Sequence, residues 1–275
     1  PDAAVAITAI TNDTSNTDFI TSDATLIISG TNGSLGSGES VQITYDGGSN
    51  WFAVTQDSPT TWSFDHTATT QSEGDTTYQV RVLDTAGNVG NTDSQVVTID
   101  NTAPTITVAI NDGSDGRLNA AEDSSVAIAG TTSGVPDGQT VSINISSSAG
   151  GTPINASAAT NTNTYSVTGL DLSSLSDGTL TITADVSDLA GNPATQATDT
   201  STKDTSAPTF SSAATSTDGT KIILTYDDPP SSTTAAASAF SVTTDGTANT
   251  VTAVAIDGST VELTLTNTVK NDDVV

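Results

Sequence analysis

The sequence predicts an all-β chain of three tandem sandwich domains in an elongated array. Three observations predict it. Thr, Ser, Val and Ile dominate, and Gly, Asp and Asn fill the segments between apolar runs, which is the chemistry of short strands joined by tight turns. The apolar residues alternate with period two, as in Tyr78-Gln79-Val80-Arg81-Val82. The chain also repeats itself. Asp84-Thr85-Ala86-Gly87-Asn88 returns 104 residues later as Asp188-Leu189-Ala190-Gly191-Asn192. Sixteen residues after each leading Asp comes a second phrase, Asp100-Asn101-Thr102-Ala103-Pro104 and then Asp204-Thr205-Ser206-Ala207-Pro208. A period of that length is the size of a domain, too long for a solenoid unit.

The first domain, residues 1–101, is expected to hold strands near Val5–Ile10, Thr25–Gly30, Val41–Tyr45, Trp51–Thr55, Thr61–Phe64, Tyr78–Leu83 and Gln95–Ile99. Seven short strands in about a hundred residues point to a two-sheet sandwich of immunoglobulin-like type. The second domain, residues 102–205, repeats the order at Ile106–Ile110, Ser125–Gly130, Val141–Ser146, Tyr165–Thr168, Leu180–Val186 and Thr195–Thr200. Gly30-Thr31 matches Gly130-Thr131 at an offset of 100, so about four extra residues are expected in a loop within Ser147–Ala159, where insertion costs little. Asp171–Ser176 is expected to form one short turn, and no helix of ordinary length is predicted.

The third domain, residues 206–275, is a divergent immunoglobulin-like sandwich with strands expected at Lys221–Tyr226, Phe240–Thr243, Val251–Ile256 and Val261–Thr266. Asp257-Gly258 reads as a hairpin turn. This domain lacks the Ala-Gly-Asn phrase and is short by one or two strands, unless it is a smaller sandwich. A missing last strand would expose a sheet edge, so the full domain is expected to continue past Val275. Pro1 in place of Met likewise reads as a piece of a longer chain, with any secretion signal outside it.

Charge excludes whole classes of partner. The chain has 32 acidic residues against five Lys and Arg, a formal net charge of -27. Nucleic acid and anionic membrane would both be repelled. No twenty-residue apolar stretch exists to insert into a bilayer. With no Cys and no Met, neither disulfides nor thiol chemistry can contribute. Hydrophobic content is 34%, low enough to raise disorder, but the clean alternating runs argue for folded strands. Solubility in a salty medium is the competing explanation for most of the Asp residues.

The phrases Asp84–Asn88, Asp188–Asn192, Asp100–Pro104 and Asp204–Pro208 resemble tandem bacterial immunoglobulin-like repeats of giant surface adhesins and biofilm-associated proteins secreted by type I systems. The likeness covers residues 1–206 and implies an extracellular place on a bacterial cell surface. Residues 218–227, with Phe240–Thr243 and Gly258–Leu265, resemble the repeat of the cyanobacterial swimming-motility cell-surface protein. Asp227-Asp228-Pro229-Pro230 departs from that family, which more often has an acidic, helix-compatible Glu-Ala-Leu stretch there.

Calcium is the cofactor worth weighing. It takes six to eight oxygens from carboxylates, amides and backbone. Residues 112–123 offer Asp112, Asp115, Glu122 and Asp123 among glycines, though not in EF-hand spacing. The first domain has a looser counterpart in Asn12, Asp13, Asp18 and Asp23. In a seven-strand sandwich the first loop lies at the end from which the chain leaves. That loop should approach Asp100 and Asn101, with Asp188 arriving from the next domain. Asp112, Asp115 and Glu122 should lie near Asp204 in the same way. A divalent cation would turn repulsion among these carboxylates into attraction and stiffen the linker. The competing reading is a set of solvated acidic turns. For Asp84 and Asp188 themselves, turn geometry is the stronger reading, because Asp and Asn bond their own backbone beside a Gly.

Enzyme chemistry has thin support. His66, the one His, is expected to be exposed at a strand end, and nothing places a triad around it. Trp51, Phe52 and Trp62 could form a sugar-stacking platform, though core packing and hairpin pairing explain them better. The leading reading is non-enzymatic: calcium-stiffened extender modules of an exported adhesin, whose partners are neighbouring modules of the same chain and a distal glycan or surface protein. The alternative is an array of carbohydrate-binding modules.

Overall fold

The computed structural model describes residues 1–13, 18–113, 116–270 and 273–275. It divides into two compact units, Pro1–Asp204 and Thr205–Val275. Within the first unit the strands pair in two closed sets.

The first set comprises β1 (Val5–Ile10), β2 (Ile20–Thr21), β3 (Ile27–Asn32), β4 (Ser40–Thr44), β5 (Phe52–Ala53), β6 (Thr55–Ser58), β7 (Thr61–Asp65), β8 (Gly74–Leu83) and β9 (Val89–Ile99). Its sheets run β1-β3-β7-β6 and β2-β9-β8-β4-β5. The alternation in β8 sends Tyr78, Val80 and Val82 inward, where all are fully buried. They meet Ile28, Ile43, Trp62 and Val97 from both sheets. Each buried aliphatic side chain contributes about 1.5–3 kcal/mol.

The second set repeats the plan with β10 (Thr105–Ile106), β11 (Ala109–Asn111), β12 (Arg117–Leu118), β13 (Val126–Ser133), β14 (Thr140–Ser147), β15 (Ile154–Ala159), β16 (Thr164–Leu170), β17 (Gly178–Asp185) and β18 (Ala197–Lys203). One sheet has β13 between β16 and the pair β10 and β11; the other runs β12-β18-β17-β14-β15. Ile128, Val141, Ile145, Leu180 and Ile182 form its core.

Two glycines show why the repeat keeps small residues inside strands. A Cβ on Gly30 would lie 2.2 Å from the Trp62 ring, and one on Gly130 would lie 2.6 Å from the Tyr165 hydroxyl. Each ring lies across its glycine and binds a carbonyl: Trp62 Nε1 donates to Thr31 O at 3.2 Å, and Tyr165 Oη to Thr107 O at 2.6 Å.

Two expectations change at this level. The extra residues expected as a loop in the second repeat are partly strand β15, paired along its whole length with β14. The first expected strand of that repeat is divided, β10 and β11 being separated at Thr107 and Val108.

The second unit is β19 (Phe210–Thr215), β20 (Lys221–Tyr226), β21 (Val242–Thr244), β22 (Thr247–Asn249), β23 (Val251–Asp257) and β24 (Thr260–Leu265). The sheet runs β19-β20-β24-β23, and β21 and β22 form a separate ribbon. A 3-10 turn at Ala237–Ala239 precedes the ribbon. Asp257 pairs with Thr260, so the tight turn is centred on Gly258 and Ser259, with Gly258 at φ 55°. The core is thin: Ile222, Val251, Val261, Leu263, Leu265 and Val269. Every residue of β19 is exposed.

Candidate functional site

The linker after β9 is held from both sides. Asp100 N donates to Thr21 O at 3.0 Å, which ties it to the early loop of the first sandwich. Thr102 Oγ1 donates to Glu73 Oε1 at 2.6 Å, and Thr102 N to Asp100 Oδ1 at 2.9 Å. From the second sandwich, Asn192 Nδ2 donates to Asp100 O at 2.7 Å. Asp188 orients that amide: its carboxylate accepts from Asn192 N at 2.9 Å and from Asn192 Nδ2 at 3.0 Å. The repeated phrase is thus a turn whose Asn192 amide, and not the Asp188 carboxylate, reaches the linker. Asn192 is the residue the sequence argument missed, although its place in the repeated phrase was the signal.

The early loop of the first sandwich binds itself. Asp13, which is buried, accepts from Phe19 N at 3.2 Å, and Asp18 accepts from Ile20 N at 3.1 Å. Asp23 accepts from Thr25 N at 2.8 Å, Thr25 Oγ1 at 2.7 Å and Asn12 Nδ2 at 2.7 Å. Burial pushes the Asp23 carboxyl upward, but these hydrogen bonds together with Thr11 outweigh it and hold it below the usual carboxylate range. Asn101 is exposed.

In the second sandwich the corresponding loop is built differently. Asn119 opens a turn in which Glu122 Oε2 accepts from Asn119 N at 3.0 Å and Asn119 Oδ1 accepts from Ala121 N at 2.8 Å. Asp123 is buried and faces Lys203 Nζ at 3.1 Å. Lys203 also donates to Leu175 O at 2.7 Å and lies 4.0 Å from Asp177. Lys203 is paired with Gly178 where Ile99 is paired with Gly74, so an ammonium fills a place that is apolar in the first sandwich. Asp204 N donates to Leu118 O at 2.9 Å, which brings the exit of the second sandwich beside this loop. Asp112 is half-buried at the loop's start, and Asp115 lies outside the described residues. Among the described residues, no three His, Cys, Asp or Glu side chains are gathered so as to hold a metal ion.

The aromatic residues separate into two environments. Trp62 is core. Phe52 stacks on Tyr45 at 5.2 Å, and Tyr45 lies 4.2 Å from the His66 ring. His66 is therefore not exposed, as its strand-end position suggested, but 4% accessible beneath Tyr45 and Phe64. Its Nδ1 lies 3.0 Å from the Tyr78 hydroxyl. Burial pulls the imidazole below its ordinary value against the opposing pull of Asp65. Trp51 is half-buried and carries the Arg81 guanidinium 3.8 Å over its ring, with Arg81 also bonded to Gln42 Oε1 at 2.8 Å.

Family models match three parts of the chain. A bacterial Ig-like domain matches residues 3–101, and a group 3 bacterial Ig-like domain matches residues 60–152. A "Putative flagellar system-associated repeat", the SWM repeat, matches residues 203–275. No curated protein matches the chain. Similar solved structures include a tetra-tandem repeat in the extending region of a large adhesion protein, at 25% identity and TM-score 0.39, covering 99% of this chain and 65% of that one. The fibronectin(III)-like modules of Clostridium thermocellum CbhA match at 12% identity and TM-score 0.39, over 68% of this chain and 87% of theirs. The D00-D0 domain of intimin matches at 15% identity and TM-score 0.28, over 74% of this chain and 99% of its own. At these scores no residue of this chain is equated with one of theirs. The chain thus carries tandem bacterial Ig-like regions and a separate SWM-repeat region, built mostly of β-strands.

Proposed function

We propose that the chain is a set of extender modules in an exported bacterial surface adhesin, spacing a distal binding domain from the cell. One observation carries this reading: the Asp100–Thr102 linker is bonded to the sandwiches on both sides, so the joint is fixed by specific donors. A chain built to bind at a cleft gains nothing from such a joint, whereas a spacer depends on it. The bacterial Ig-like matches and the charge of -27 agree with a life outside the cell.

Calcium belongs to the same proposal. Asp13, Asp18 and Asp23 would share an ion with Asp100, Asn101 and Asp188 at one end. Asp112, Asp115 and Glu122 would do so with Asp204 at the other, while Asp123 keeps Lys203. The oxygen-only donors suit a hard cation, and five basic residues cannot neutralise 32 acidic ones. An ion held only by the folded state stabilises it by about 2.7 kcal/mol at a hundredfold excess over its Kd. Calorimetry in millimolar Ca²⁺ should therefore give a higher Tm than in EGTA, with Mg²⁺ a poor substitute. Identical melting profiles would remove calcium from the account. The carbohydrate-binding alternative now rests on Trp51 alone of the three aromatics, since Trp62 is core and Phe52 stacks on Tyr45. A glycan-array signal lost on Trp51→Ala would favour it.

A further inference from the structure

Asp84–Asn88 and Asp188–Asn192 are one device seen in two surroundings. Gly87 and Gly191 both have φ 86°, and each closes the same turn: Gly87 N donates to Asp84 O at 3.1 Å and Gly191 N to Asp188 O at 3.3 Å. Asn88 N reaches Asp84 Oδ1 at 2.8 Å, and Asn88 Nδ2 reaches Asp84 Oδ2 at 2.8 Å, matching the distances around Asn192. Hydrogen bonds from Asn88 hold the Asp84 carboxyl below the usual range, so it stays an acceptor.

The two copies differ in what covers them. Asn192 Nδ2 has a second acceptor, the carbonyl of Asp100. Among the described residues Asn88 Nδ2 has Asp84 Oδ2 alone. A side-chain amide carries two hydrogens, so one remains to give. Ala190 is 1% exposed although it belongs to neither core cluster of its unit, while Ala86 is exposed. Asp188 is buried and Asp84 only half so.

We infer that Asp84–Asn88 is a docking site for the linker of another module of this kind, with Asn88 Nδ2 donating to the backbone carbonyl that corresponds to Asp100 O. This rests on the reading of the chain as tandem structural modules. The path of the chain fits it. Ala6 O lies against Gly30 as Thr107 O lies against Gly130, which marks equivalent places in the two sandwiches. Counting back equally from each, Pro1 stands where Thr102 stands, two residues after Asp100. Asn91 Nδ2 holds Asp2 O at 3.0 Å and Ala3 O at 3.1 Å, so the first residues run beside the strand that follows the loop. A module joined ahead of Pro1 would bring its linker to Asn88.

The test is an extended chain in which residues 1–101 are repeated ahead of Pro1, compared with the chain as it stands. Exchange of the Asn88 side-chain amide protons is followed by NMR, and spin-label distances are measured across both joints. Extension should slow Asn88 amide exchange roughly tenfold, about the worth of one net hydrogen bond. Asn88→Ala should broaden the distance distribution at the new joint and leave the Asp100 joint unchanged. Asn192→Ala should do the reverse. Asn88 exchange that is unaffected by extension would overturn the docking inference, and needs no variant to be read. So would a new joint that stays equally narrow in Asn88→Ala while Asn192→Ala loosens the old one; the tandem reading would survive that result. A compact scattering envelope for the extended chain would instead remove the tandem reading beneath it.

Discussion

Lys203 is the residue whose environment departs most from its surface-loving chemistry. It is 3% exposed, and Asp123 with the Leu175 carbonyl is its compensation. Breaking a buried pair from one side leaves a buried charge, which costs about 3–5 kcal/mol, whereas replacing both partners with apolar groups is often neutral. Lys203→Met should therefore strongly destabilise the second sandwich, and adding Asp123→Leu should recover most of the loss. Amide exchange of β17 and β18 measures both; equal damage in single and double variants would show that the pair is not the issue. His66 predicts a pH dependence in the first sandwich. Its folded pKa is depressed below the ordinary 6.5, so the unfolded chain takes up the proton first. Its contribution is fully present above 6.5 and is lost as pH falls below it, with a slope of at most about 1.4 kcal/mol per pH unit. The charged and titratable groups around it are Asp65, Tyr45 and Tyr78. Trp51 and Trp62 both lie in this sandwich, so tryptophan fluorescence in urea follows it alone. His66→Gln should flatten the stability change between pH 7 and 5. An unchanged slope would place the titration elsewhere.

At the scale of elements, the legible strands are those with Val, Ile or Leu on the buried face, such as β4, β8, β17, β20 and β24. The illegible ones lack that signal. β15 alternates Ala, Ser and Asn, and is a strand because β14 offers it an edge. β2 and β12 are two-residue parallel pairings to β9 and β18, made by tertiary placement with no pattern of their own. β19 reads FSSAAT and buries neither face. The end-to-end position of the early loops was readable from strand order, but which side chain reaches the linker was not, because Asp188 and Asn192 share the same turn. Repetition marks glycine at 30 and 130, and the Trp62 and Tyr165 rings above it explain it. Gly30→Ala would set a Cβ 2.1 Å from Ala6 O, a backbone atom that cannot step aside. A loss of about 1–3 kcal/mol or more is expected from such overpacking. Urea unfolding of Gly30→Ala read by Trp62 fluorescence checks it, and a midpoint equal to that of the unaltered chain would mean the strand can yield.

At the scale of the whole molecule, the proposed function requires modules, each closed around its own core, joined as a spacer. Size in solution addresses that requirement directly, because a compact chain of this length has a radius of gyration of about 19 Å. Each sandwich of the first unit is about one long strand in length, roughly 35 Å at the rise of β9; the proposed spacer, were it three such modules end to end, would reach about 100 Å with a radius of gyration of roughly 30 Å. Small-angle X-ray scattering of the chain in millimolar Ca²⁺ is the measurement. The account predicts the larger radius with a long-tailed distance distribution, and a radius near the compact value with a single symmetric peak would contradict it.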